Sequence, residues 1–430
     1  MSDPRYAKSN AFFERALQSI PLASQTFSKS HLQYPKGHAP LFMERGAGAR
    51  LWDIDGNEYV DLVSSLLPIL FGYCDPDVDA AIRDQLAKGI IFSMPSTLEA
   101  EVAELLIDII PCAEKVRFGK NGSDATSAAI RLARAFTHRD RVAVCGYHGW
   151  QDWYIGSTTR KLGVPDAVCA LTHSFVYNDL DSLDALFHQH PGEFAAVIME
   201  PANAAKPKDG FLHKVKELCA RHGALLIFDE VIAGFRFANG GAQELFGVTP
   251  DLAAFGKALG NGMPISAVVG RADVMAKMDD IFFSGTAGGE ALSLAAAKAV
   301  LLKVKREPVV DTLWSRGREV AGIALEAARR HGLEHCYSLT GLPPWQLIVW
   351  KDAPGASAAE LKTFFIRRML AKGIMINSSH NVSYALGDAE VAKIAAAYNQ
   401  VFEEMAAALS RGELPLLLGC APIQPIFKVR

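Results

Sequence analysis

A lysine enclosed by glycines is the first chemically suggestive feature of this chain. The run Phe255-Gly256-Lys257-Ala258-Leu259-Gly260-Asn261-Gly262-Met263-Pro264 follows an apolar stretch. Glycines let backbone approach a ligand closely, because no Cβ stands in the way. A lysine alone is an ordinary surface residue; set in such a loop, its amine is a candidate nucleophile or proton carrier. Upstream, Leu225-Leu226-Ile227-Phe228-Asp229-Glu230-Val231 reads as a buried strand ending in two acids. These acids either meet solvent or supply negative charge to a site. Phe118-Gly119-Lys120-Asn121-Gly122-Ser123-Asp124 turns through glycine into a helical pattern. The free amides of a helix start suit a phosphate, and Asn121 or Ser123 would equally serve as an ordinary N-cap. Gly146-Tyr147-His148-Gly149-Trp150 follows an apolar strand. An aromatic there is either core or a surface for stacking on a planar ligand.

Alternating elements must position these residues. Helical periodicity is clear at 97–110, 123–137, 212–222 and 288–305. Short apolar strands fall at 141–145, 195–199, 225–228 and 267–269. Such alternation predicts an α/β fold, a mostly parallel central sheet with flanking helices. Ligands of open α/β sheets bind at the carboxyl ends of the strands, which is where the candidate residues stand. Before this region come an amphipathic stretch at 10–19 and a hairpin signal at Asp55-Gly56-Asn57. After it, helices at 320–331, 359–372 and 388–410 surround short strands such as 345–350, predicting a smaller C-terminal α+β domain. The expected organisation is an N-terminal segment 1–65 that packs with the small domain, a large domain 66–310 and a small domain 311–430.

Composition excludes several classes. The 430 residues are half hydrophobic and carry a net charge of −3, enough for a large core and without the basic footprint of a nucleic-acid binder. No run of eighteen apolar residues suggests a membrane span, and the polar N-terminus lacks the apolar core of a signal peptide. The seven cysteines, at 74, 112, 145, 169, 219, 336 and 420, show no metal-site spacing. Scattered and odd in number, they predict reduced thiols and a cytoplasmic location. Walker-type, GxGxxG, HExxH and GxSxG patterns are absent.

In their order and spacing these stretches resemble the class III aminotransferases of pyridoxal-phosphate (PLP) fold type I, over about residues 20–409. The run from DEVIAGFR to FGKALGNGMP is the most specific part. Within the class, the likeness is to glutamate-1-semialdehyde aminomutase and its aminotransferase relatives. The resemblance implies a PLP enzyme in which Lys257 holds the cofactor as a Schiff base and then shuttles the substrate proton. Asp229 would pair with the pyridine nitrogen, Glu230 would support structure, and Gly122 and Ser123 would cup the phosphate. Tyr147 would stack on the ring, Asn203 would lie near the phenolic oxygen, and Thr286 would reach the phosphate across a homodimer interface, so that active sites are shared. The partners implied are a small-molecule amino donor and an oxo acceptor.

The substrate end departs from the family pattern. Ala205 stands where many relatives carry a gating glutamate, and no arginine lies near Asn377-Ser378-Ser379-His380-Asn381. Lys29 occupies the place of the aminomutase's carboxylate-binding arginine, keeping charge without the two-pronged geometry. The segment between Tyr147 and Asp179 is shorter than the aminomutase lid. The pocket set expected is Lys29, Ser64, Ser65, Trp150, Trp153, Ser378, Ser379, His380 and Asn381, with Lys29, Ser65, Trp150 and His380 foremost. So polar a lining favours a hydroxylated, sugar-like oxo acceptor. The alternatives are a 2,1-aminomutase, another reaction at Cα such as racemisation, and a non-catalytic PLP-binding relative.

Overall fold

The computed structural model describes residues 3–424 except residue 203. Among the described residues, those up to Asp75 and those from Asp311 make one compact unit, and those of 76–310 make the other. The sequence-based boundary at 65/66 thus falls ten residues before the structural one.

The strands in chain order begin with β1 (Met43–Ala47), β2 (Arg50–Asp53) and β3 (Glu58–Asp61). The second unit contains β4 (Lys115–Gly119), β5 (Arg141–Cys145), β6 (Thr172–Ser174), β7 (Phe194–Met199), β8 (Leu225–Asp229), β9 (Leu252–Phe255) and β10 (Ser266–Gly270). The first unit resumes with β11 (Tyr337–Leu342), β12 (Trp345–Trp350), β13 (Ile374–Met375) and β14 (Ser379–Asn381).

The seven strands of the second unit form one sheet in the order β4-β10-β9-β8-β7-β5-β6. Only β10 runs against its neighbours. Every residue of β7, β8, β9 and β10 is buried, as continuous apolar runs require when both faces are covered. β4 differs. Its burial alternates along Lys-Val-Arg-Phe-Gly, which suits an edge strand and hides it from a search for apolar runs. The helix Gly122–Thr137 packs on β7, β9 and β10, and its buried face, including Ala125, Ala129, Leu132 and Ala133, is part of the core of this unit.

In the first unit, β13 of the C-terminal part pairs in parallel with β3 of the N-terminal part, so the two ends of the chain share a four-stranded sheet, β1-β2-β3-β13. A second sheet has the order β11-β12-β14. The long helix Val309–Arg330 begins eleven residues before the expected start at 320. Gly317 disguises it. In an exposed helix interior glycine is unfavourable, but here a Cβ would lie 2.0 Å from the Pro343 carbonyl oxygen, so close approach of the β11–β12 turn requires it. No helix among the described residues is long and apolar enough to cross a membrane.

Candidate active site

Because β10 alone is reversed, β4, β5, β7, β8 and β9 all point their carboxyl ends to one edge of the sheet. That edge collects the segments after Gly119 and Cys145, Glu200 after β7, Asp229 at the end of β8, and Gly256-Lys257 after β9. The crevice outside such strand ends is the usual ligand position of the fold.

Asp229 and Lys257 sit on adjacent strands. Asp229 pairs in register with Ala254, three residues before Lys257. The Asp229 carboxylate is 5% exposed; its Oδ1 accepts from the Val231 amide at 3.1 Å, and its Oδ2 lies 2.8 Å from His148 Nδ1. Lys257 takes a left-handed backbone, φ 38°, a conformation that costs a non-glycine residue energy and recurs at functional sites. Desolvation by the surrounding protein pushes its ammonium below the ordinary lysine range; the charges of Asp229 and Glu200 oppose this, and Arg236 adds to it. An amine so placed is more readily neutral, the form that attacks a carbonyl.

The turn into helix Gly122–Thr137 makes a small cradle. The Asp124 carboxylate accepts from the Lys120 and Asn121 amides at 2.9 and 2.8 Å. Among the described residues, neither the Gly122 nor the Ser123 amide has a protein acceptor. A Cβ on Gly122 would lie 2.9 Å from Val231 Cγ1, and one on Gly256 would lie 3.4 Å from the same atom. Val231 thus packs closely on both glycines, and the two amides without a protein acceptor stand at a helix start, the kind of donor pair that suits a phosphate.

The turn from Gly146 to Trp150 is built just as tightly. Gly146 and Gly149 have φ of 109° and 107°, and a Cβ there would lie 2.4 Å from Glu200 Oε2 or 2.3 Å from Ser123 Oγ. Glu200 accepts from the Tyr147 amide at 3.1 Å, and Thr126 Oγ1 donates to the His148 carbonyl at 2.9 Å. These contacts hold the Tyr147 ring edge-on to Tyr154 and 45% exposed. They also bring the His148 ring, 2% exposed, to Asp229.

The sequence did not single out His148, Val231 or Glu200 for this crevice. The signal for His148 was its place beside Tyr147, but nothing local shows that it reaches an acid 81 residues away. Glu230 is fully buried, accepts from the Ala242 and Gln243 amides at 2.8 Å each, and is pushed up to about 7 by burial. Thr286 is exposed in a turn closed by Gly288 N–H donating to the Gly285 carbonyl at 2.9 Å. Asn203 lies outside the described residues.

The expected substrate residues separate. In the second unit Trp150 is 68% exposed, whereas Trp153 is buried with Nε1 donating to Ser127 Oγ at 2.8 Å. In the first unit Lys29 Nζ donates to Ser65 Oγ at 2.8 Å, and Ser65 lies in a run of four left-handed residues, Ser64 to Leu67. The others need correction. Ser64 Oγ donates to the Asn381 carbonyl and Asn381 Nδ2 to the Val63 carbonyl. Ser379 is also buried, with Oγ on Asn377. His380 is fully buried with Nε2 2.5 Å from the Tyr398 hydroxyl. These groups are engaged inside their own unit, and His380 offers no surface to a substrate.

A mostly parallel α/β sheet whose strand ends gather an amine, a buried carboxylate, an exposed aromatic and a helix start suits an enzyme with a planar, phosphorylated cofactor. The comparisons agree. The class-III aminotransferase family model matches residues 33–406, and the chain belongs to that family. It is 33% identical over 411 residues to the 3-aminobutyryl-CoA aminotransferase of Cloacimonas acidaminovorans, covering 93% of this chain and 98% of that one. It is 36% identical over 394 residues to a glutamate-1-semialdehyde 2,1-aminomutase of Alkaliphilus oremlandii, covering 86% and 92%. A PLP-containing structure of the FumI protein of Sphingopyxis sp. MTA144 superposes with a TM-score of 0.87 at 30% identity, covering 94% and 98%. The chain is a PLP-dependent aminotransferase of fold type I.

Proposed function

We propose that the chain moves an amino group from an amino donor to an oxo acceptor, with Lys257 as the lysine that holds PLP through its aldehyde. The observation that carries this reading is the gathering of Lys257, just after β9, and Asp229, at the end of the adjacent strand β8, at one edge of the sheet, where the charge of Asp229 acts on the Lys257 ammonium. The other residues fit the cofactor. The Gly122 and Ser123 amides would take its phosphate, the exposed Tyr147 face its ring, and Asp229 its pyridine nitrogen. Bound PLP supplies an electron sink for the substrate carbon. Asp229, held by His148 and the Val231 amide, is the carboxylate that would partner the ring nitrogen. The Lys257 amine would be the group that takes and returns the proton of the substrate carbon.

We keep the hydroxylated acceptor as a reading of the sequence alone: Ser64, Ser379, His380 and Asn381 are engaged within the first unit, and Lys29 Nζ is bonded to Ser65 Oγ there. Exposed Thr286 and the exposed apolar side chains Ile90, Ile91, Phe92, Met94 and Phe282 support a homodimer in which Thr286 serves the second copy, since apolar patches of this kind mark association surfaces.

The test is the half-reaction. Adding an amino donor to the yellow holoenzyme should bleach it and release the matching oxo compound. Lys257→Ala should lower turnover by at least about 10²–10⁴-fold, and substantial transamination in that variant would refute the assignment. The aminomutase relatives favour one second reading. Isomerisation of an amino aldehyde, with no donor able to bleach the enzyme, would select it.

A further inference from the structure

The loop that presents Thr286 is pinned to the segment that forms the phosphate cradle. Arg131, on helix Gly122–Thr137, donates from Nη1 to the Phe282 carbonyl at 2.5 Å. Arg117, on β4, donates from Nη2 to the Phe283 carbonyl at 3.2 Å. At the far end of the loop, Lys120 Nζ meets Glu290 Oε2 at 3.0 Å, and Glu290 caps the next helix through the Leu292 and Ser293 amides. Between these anchors, residues 284–287 are exposed. The two arginines bond backbone carbonyls, so they set the path of the loop without engaging the side chains of residues 284–287.

We propose that Arg117 and Arg131 are positioning residues for the cofactor of the partner subunit. This rests on the homodimer reading above. The β4–helix segment then has two duties. Its Gly122 and Ser123 amides serve the phosphate in its own subunit, while Arg117, Lys120 and Arg131 hold Thr286 out for the phosphate of the other. Loss of the arginine clamp weakens PLP retention in trans and leaves the subunit's own cradle intact.

Mixed dimers test this. In each, one subunit carries Lys257→Ala, so only the other subunit retains PLP covalently. In the first mixed dimer, Arg117→Ala and Arg131→Ala lie on the Lys257→Ala chain. In the second they lie on the chain that keeps Lys257. The readout is equilibrium retention of the yellow chromophore on dialysis, with no turnover involved. The first dimer should hold PLP about tenfold more weakly than the parent, the scale of one or two hydrogen bonds, and the second should match the parent. Replacing both arginines by lysine, which can still donate one bond each, should restore much of the loss. The reverse pattern, equal loss in both dimers, or no loss in either overturns the proposal. A Lys257→Ala homodimer that still holds PLP covalently would fault the site assignment instead; the Arg117→Ala/Arg131→Ala homodimer then decides, and unchanged retention in it overturns the clamp.

Discussion

His148 and His380 are the same residue at nearly the same burial, 2% and 0% exposed, in two different regions. Each has one ring nitrogen bonded, and among the described residues its other nitrogen has no protein partner. His148 stands at the carboxyl edge of the seven-stranded sheet with Nδ1 on the Asp229 carboxylate. His380 stands on β14 with Nε2 on the Tyr398 phenol, beside a cluster of Tyr337, Trp350, Phe365 and Phe402. Burial pushes His380 down to about 3, so it is a neutral wedge in an aromatic core. A carboxylate partner in a crevice makes a histidine part of a charge system; a phenol in a core makes it packing. Residue type and burial do not separate the two. The partner does.

The largest effect that bears on this contrast should come from the carboxylate itself. Asp229→Asn keeps the shape and removes the charge, and turnover should fall by at least about a hundredfold, as for loss of a preorganised electrostatic contact. Steady-state kinetics with one donor and acceptor would show it. A loss below tenfold would mean that the His148 partner matters little. His148→Gln should come next, with about a tenfold fall in kcat and little change in thermal midpoint, because Asp229 keeps the Val231 amide. His380→Gln should leave kcat within about twofold. If the two glutamine variants lose activity alike at unchanged stability, the contrast is wrong.

The sequence showed the edge of the large sheet better than the interior of the first unit, for a physical reason. β8 is a continuous apolar run ending in an acid, and the turns after β4, β5 and β9 carry clustered glycines that stand out in the sequence. Gly146 and Gly149, at φ of 109° and 107°, need glycine for their own backbone. Such features are written in a few consecutive residues. The polar groups of β14 are not. Asn381 meets Val63 across 318 residues, and His380 meets Tyr398 from a different element. Read without those partners, a Ser-Ser-His-Asn run looks like a pocket lining. Helix Val309–Arg330 failed in the same way, since the reason for Gly317 is a carbonyl on another segment. His148 was overlooked because its acid lies on a strand far along the chain.

The smallest effect is one of stability, and its sign follows from the direction of the shift. His380 is neutral when folded down to a pH of about 3, whereas an unfolded histidine takes its proton near pH ~6.5. Between these values the unfolded chain binds the extra proton. The contribution of His380 is therefore whole above pH ~6.5 and is lost as the pH falls toward 3, at no more than about 1.4 kcal/mol per pH unit for one proton. His380→Gln removes the titration and still offers Tyr398 an amide. Its stability should fall less steeply than that of the parent between pH 6.5 and 4. Urea midpoints at several pH values, read as the difference from the parent, isolate this from the buried carboxylates that also titrate in acid. A His380→Gln curve parallel to the parent would mean that the ring takes a proton in the folded state as readily as in the unfolded one, and the phenol partner would then not make the histidine on β14 neutral packing.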